Sequence, residues 1–167
     1  MRLRESRLLE STPNGAYRGV VLVRLMVGAV FLSEGLQKFL YPADVGAGRF
    51  ARIGFPNAEL LAGFVGVVEI VCGALVLAGL ATRLAALPLV ATMLVAIVTT
   101  KIPILLGHGF GPFGVRELPE YGFWSMAHES RTDWSMLLGS LFLVLAGGGP
   151  WSVDARLRRR RTGFDRG

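Results

Sequence analysis

The chain has 167 residues, 52% of them hydrophobic and 18% charged, with a formal net charge of +6. That length suits one domain, but the apolar share exceeds what a soluble core of this size absorbs, so a membrane is the expected solvent. The positive charge gathers at the ends, with Arg2, Arg4, Arg7 and Arg18 before the first apolar run and Arg156, Arg158, Arg159, Arg160, Arg161 and Arg166 after the last. No aromatic platform or recognition motif accompanies these arginines, which therefore suit an anionic lipid leaflet and exclude nucleic acid as the expected partner.

Residues 1–17 are polar and basic, so no cleaved signal peptide is expected. A hydrocarbon core of about 30 Å takes roughly 20 apolar residues as a helix. Four segments qualify, near 18–40, 58–80, 84–106 and 132–148. They predict an all-α membrane protein, a four-transmembrane-helix bundle forming a single domain over 1–167, with a basic tail at 155–167. Asn57 stands where it can N-cap the second helix and Thr82 the third, and Ser130 with Asp133 has capping-box spacing at the start of the fourth. The tails and the turn at Arg83 hold most of the basic residues, which places both termini in the cytoplasm; Arg49 and Arg52 are the opposing charges. The other side carries two longer segments, 41–56 and 107–131, rich in Gly, Pro and aromatic residues and expected to be irregular and to bear function.

Along the first helix, Arg24, Gly28, Phe31, Gly35 and Lys38 follow at alternating steps of four and three and so share one face. Gly66, Glu69 and Gly73 repeat that pattern in the second helix. Glycines so spaced let two backbones approach closely, the usual means of helix association in lipid. Glu69 falls near mid-span, where an unpaired charge costs several kcal/mol, so it is expected to be protonated or paired, with Arg24 of the first helix as the expected partner. Such a pair is a structural lock between helices or, alternatively, a carboxylate that takes up protons or binds a ligand. Glu34 lies four residues before Lys38, at ion-pair spacing. Lys101 and Asp133 fall at the same depth as Glu34 and Lys38, which predicts a polar pocket in that half of the bundle; for each lysine alone the competing reading is snorkelling to the headgroups.

His108 and His128 flank the longest irregular segment, with His128 beside Glu129 and near Asp133. Their wide separation predicts ordinary loop histidines, so no metal site is expected, although His128 is a candidate ligand-binding residue. Trp124, Trp134 and Tyr121 suit an interfacial aromatic belt. Cys72 is the single cysteine, which excludes an intramolecular dithiol–disulfide cycle. No nucleotide-binding Gly-rich loop and no supported Ser-His-Asp arrangement occurs, so no intrinsic cofactor is expected.

Taken in order, Arg24, Gly28, Phe31, Gly35 and Lys38, then Glu69 with the stretch Gly-Ala-Leu-Val-Leu-Ala-Gly-Leu-Ala-Thr-Arg at 73–83, and finally Gly-Gly-Gly-Pro-Trp-Ser-Val-Asp at 147–154 resemble the DoxX family of small four-helix membrane proteins. The last stretch is similar to that family's Gly-Pro-Gly-x-x-Ser-x-Asp signature, with Gly148 in place of the usual Pro; Glu34 also departs from the usual neutral residue or His. The resemblance implies a bacterial inner-membrane protein connected to redox chemistry, since relatives include the membrane subunit of a thiosulfate:quinone oxidoreductase and a member that associates with superoxide dismutase and a sulfurtransferase. The expected function is then a redox-associated subunit that binds a lipophilic small molecule such as a quinone and works with a partner oxidoreductase. Glu69 and Glu34 would handle protons, and Arg24, Lys38, Lys101, Asp133 and His128 would bind the ligand. The rival class is a non-catalytic scaffold in which the buried charges only fix helix packing and a loop or tail recruits soluble redox or thiol-stress enzymes. A transporter is a weaker third reading, because one four-helix protomer would need to form a homo-oligomer to enclose a pathway.

Overall fold

A computed structural model describes residues 13–164, with side chains from 18 to 159. The predicted basic residues at 1–12 and 165–167, Arg2, Arg4, Arg7 and Arg166, lie outside the described residues. Seven α-helices follow in order among the described residues: α1 (Pro13–Leu40), α2 (Ala47–Ile53), α3 (Ala58–Ala78), α4 (Thr82–Ala96), α5 (Ile102–Leu106), α6 (Phe123–Ala146) and α7 (Val153–Phe164). Among the described residues there is no β-strand, only one isolated bridge between Phe110 and Phe113. Three stretches among the described residues are long and apolar enough to cross a bilayer, Arg18–Leu40, Ala58–Ala78 and Thr82–Leu106. The third runs unbroken from α4 through a π-helical turn, Ile97–Lys101, into α5.

The most extensive helix–helix contact joins α1 and α3, and glycine explains its closeness. A Cβ added at Gly35 would stand 2.7 Å from the Gly66 carbonyl oxygen, and one at Gly73 would stand 2.8 Å from the Leu32 nitrogen. Backbone therefore faces backbone, in the manner expected where lipid supplies no hydrophobic force between helices. A core of Val27, Phe31, Val76, Ala86, Leu89 and Leu143 continues this packing into α4 and α6. Many other leucines, valines and phenylalanines remain exposed around the outside, among them Leu22, Leu60, Phe64, Leu84, Leu138 and Leu145. Such a girdle suits contact with lipid.

Several expected helix boundaries are corrected. The fourth predicted helix, placed at 132–148, instead begins at Phe123 and spans 24 residues. Nothing from Trp124 to Arg131 breaks a helix, whereas Gly122 takes φ 106°, a conformation that only glycine adopts at ease. Ser130 is consequently an interior residue whose hydroxyl donates to the Ala127 carbonyl oxygen, rather than a cap. Its early turns carry Glu129, Arg131 and Asp133, so composition does not qualify α6 as a span as it does the other three. Asn57 does occupy the position before α3 but makes no side-chain capping bond. Thr82 is the first residue of α4, not its cap, and the capping is done by Asp154 from α7: its carboxylate accepts from the Ala81 N–H at 2.9 Å and the Thr82 N–H at 3.2 Å. The segment 41–56 is not wholly irregular, since α2 lies within it.

Candidate functional site: a charged cavity among four helices

Two ends of the bundle can be distinguished. One carries α2 and the 107–122 segment and is here the loop end; the other carries the α3–α4 turn and α7 and is the tail end. Near the loop end a cavity of about 640 Å³ opens between α1, α3, α4 and α6, with α2 beside it. Its wall is mainly apolar, from Phe31 and Val30 of α1, Val65 and Val68 of α3, Met93 and Val95 of α4 and Met136 of α6, with Phe50, Ile53 and Phe55 on the loop side. The three rings of Phe50, Phe55 and Phe113 pack in series at centroid separations of 5.2 and 5.1 Å and fix this flank.

Into that wall the helices bring charges of both signs. Lys38 Nζ of α1 donates to Glu69 Oε2 of α3 at 2.5 Å, and the two side chains are only 10% and 3% exposed. Opposite them, Lys101 Nζ lies 3.2 Å from Asp133 Oδ2 of α6 and donates to the Glu129 carbonyl oxygen at 2.8 Å. The π-turn is what delivers Lys101: a single wide turn shifts the helical phase, and here both Thr99 and Lys101 are buried. Pro88, also in the wall, lies inside α4 and removes the hydrogen bond that its N–H would otherwise make, so this helix is irregular on both sides of the cavity. Glu34 lines the cavity as well, and its carboxylate has no ion pair or hydrogen bond among the described residues.

The structure therefore gathers Glu34, Lys38, Glu69, Lys101 and Asp133 around one space and leaves two candidates out. Exposed His128 sits beside Arg131 on α6, with the guanidinium 2.8 Å from Nδ1, and does not line the cavity. Arg24 is at the tail end. The expected Arg24–Glu69 pair is corrected to Lys38–Glu69, because α1 and α3 run antiparallel in a register that sets Arg24 beside Val76, seven residues along α3 from Glu69 and so about 10 Å away along the axis. The expected Glu34–Lys38 side-chain pair is likewise replaced: Lys38 turns to Glu69 and meets only the Glu34 carbonyl oxygen, at 3.5 Å.

Arg24 is 3% exposed and is satisfied by backbone. Its Nε donates to Val76 O at 2.9 Å, Nη2 to Leu77 O at 2.5 Å, and Nη1 to Gly148 O at 3.1 Å and Trp151 O at 3.0 Å. Val76 and Leu77 are in the last turn of α3, where the carbonyls carry the negative end of the helix dipole and Val76 O also accepts the Gly79 N–H of the cap at 3.1 Å. Arg24 and Asp154 thus brace the tail end from opposite signs, one on the C-terminus of α3 and the other on the N-terminus of α4. Sequence reading missed this role of Asp154, although its place in the 147–154 motif was a signal. It also missed the Thr92 and Thr100 lining of the cavity, and exposed Arg49 at its rim. Among the described residues no group of three or more His, Cys, Asp or Glu side chains is placed to hold a metal ion, and Cys72 is buried and free.

The glycine-joined α1–α3 pair, the Lys38–Glu69 bond across it and the brace at 147–154 involve the same residues that carry the sequence resemblance. The DoxX family model matches residues 19–102. The chain belongs to the DoxX family. It is 57% identical over 143 residues to "Uncharacterized membrane protein Rv3486" of Mycobacterium tuberculosis, covering 86% of this chain and 83% of that protein. It is 33% identical over 129 residues to "Putative oxidoreductase CatD" of Bacillus subtilis, covering 77% of this chain and 79% of that protein. No solved structure matches it. As a DoxX protein with three long apolar helices, the chain is a membrane protein.

Proposed function

We propose that this DoxX protein is a redox-associated subunit of the bacterial inner membrane that holds a lipophilic small molecule of the quinone class in the loop-end cavity and works with a partner oxidoreductase. In this reading α6 crosses the bilayer as a fourth span and both termini are cytoplasmic. The observation that carries the proposal is the cavity itself: about 640 Å³ of mainly apolar wall into which two lysines and three carboxylates converge. Small-ligand sites have roughly this size and this mixture of an apolar body with a few placed polar groups. The DoxX membership and the oxidoreductase name given to the Bacillus subtilis relative support the redox connection.

Quinone chemistry, once such a molecule is bound, takes up two electrons from the partner together with two protons. The residues of this chain have the complementary tasks. Lys38 and Lys101 offer N–H donors to carbonyl oxygens from two sides of the space. Glu34 has no ion pair among the described residues and is placed to take a proton and pass it on, while Glu69 and Asp133 hold the lysines in position. The surrounding apolar side chains keep water away and strengthen each of these interactions.

The test is mass spectrometry of lipids extracted from protein purified in mild detergent without added ligand. A quinone retained by the wild type and lost from Lys38→Met and Glu69→Gln is the expected result. The double variant Lys38→Met with Glu69→Gln strands no buried charge and controls for folding; it is expected to be folded and empty. An empty wild-type bundle that copurifies stoichiometrically with a soluble enzyme would instead establish the scaffold.

A further inference from the structure

A second concavity, at the tail end, has a different chemistry. It is a broad open groove of about 1310 Å³ bounded by the α3–α4 turn, the 147–151 turn and α7. Arg18 of α1, Arg83 of α4 and Arg156 of α7 line it, so the positive charge comes from three separate elements and not from one run of sequence. Its one acidic lining residue, Asp154, is hydrogen-bonded to the α4 N-terminus, and the arginines lining the groove outnumber it. The same bonds close that helix end to any other anion.

Three neighbouring features indicate what fills the groove. Arg18 lies over the Trp151 ring at 5.9 Å, an amphipathic pairing suited to the boundary between water and hydrocarbon. Arg83 donates to the Leu145 carbonyl oxygen at 3.0 Å, which holds its guanidinium at the groove edge. Directly beside it, Leu84 and Leu145 are 71% and 77% exposed, so an apolar track runs from the arginines along α4 and α6 into the membrane zone. A soluble anion would use the arginines and leave this track empty. A two-chain lipid with a charged phosphate uses both.

We propose that this groove is a binding site for an anionic phospholipid, with the headgroup phosphate on Arg18, Arg83 and Arg156 and an acyl chain along Leu84 and Leu145. Basic pockets between transmembrane helices at a membrane surface take such headgroups, and planar guanidinium forks match a phosphate in bidentate fashion. The site is independent of the loop-end cavity and of the ligand held there.

The experiment is native mass spectrometry of the full chain, delipidated and returned to micelles containing equal amounts of phosphatidylglycerol and phosphatidylcholine at physiological ionic strength. The wild type is expected to retain phosphatidylglycerol in preference and to melt at a higher temperature with it. Arg83→Gln combined with Arg156→Gln should lower that retention roughly thirtyfold, at about one kcal-scale step per arginine near the surface. Arg18→Gln with Arg156→Gln, which leaves the Arg83–Leu145 contact in place, should do the same and guards against a folding defect. Equal retention of the two lipids by the wild type overturns the proposal. So does equal protection by inorganic phosphate, which would make the site one for free anion, or by polyglutamate, which would make it a general acidic-protein surface.

Discussion

Arg24 shows how one side chain is committed by its neighbours. A guanidinium at 3% exposure inside a membrane protein reads from sequence as half of an ion pair, yet here four carbonyl oxygens from α3 and the 147–151 turn absorb it. The planar fork spreads its donors over several directions, which a lysine ammonium cannot imitate. Arg24→Lys is therefore expected to destabilise the fold by about 2–4 kcal/mol, since charged-group hydrogen bonds are lost and buried carbonyls go unpaired. The readout is the midpoint of thermal unfolding in detergent. Ligand retention in the loop-end cavity, normalised to folded protein, should not change, and a specific loss of ligand with an unchanged melting midpoint would contradict the bracing role. Lys38 and Glu69 differ in this respect, because their bond lies in the cavity wall and serves packing and binding together.

At the scale of elements, α3 places glycines in two different surroundings. Gly73 faces the α1 backbone, with Leu32 N at 2.8 Å and Gly28 O at 3.0 Å from an added Cβ, while Gly63 has nothing within 4 Å. Gly73→Ala must push α1 and α3 apart and is expected to cost about 1–3 kcal/mol. Gly63→Ala adds a methyl in open space and should leave stability within about 1 kcal/mol of the wild type. Comparing the two variants by thermal unfolding separates close approach from any general effect of glycine in a helix, and equal losses would refute the close α1–α3 contact. The π-turn at Ile97–Lys101 works at the same scale, because it shifts the helical phase at the residue that lines the cavity, and Lys101 is buried there as its depth along the chain predicts.

For the molecule as a whole, the proposed topology places the tail-end groove in the cytoplasmic leaflet and the loop-end cavity toward the opposite face. In a Cys72→Ala background, Glu117→Cys should react with a membrane-impermeant maleimide on intact cells, whereas Leu157→Cys should react only after permeabilisation. Labelling of both sites in intact cells, or the reverse pattern, would sink the topology. The two sites would then serve different roles at opposite ends of one bundle: charge pairs in a mainly apolar cavity, and arginines beside an exposed leucine track.

Much of this architecture follows from local properties of the sequence. Runs of apolar residues long enough to cross hydrocarbon specify the three long spans, and the order of motifs points to the DoxX family, because hydropathy and spacing are carried by neighbours along the chain. The depth shared by Glu34, Lys38, Lys101 and Asp133 was also legible, since depth is residue count times rise per residue. Which cation met Glu69 was not. That choice depends on the register of two antiparallel helices, fixed by glycine contacts between segments far apart in sequence, and it gave Glu69 to Lys38 and Arg24 to backbone carbonyls. The cap of α4 was hidden for the same reason, because Asp154 arrives from 72 residues away. Pairing across the bundle is a property of tertiary structure, where a few ångströms of helix register decide which charges are neighbours.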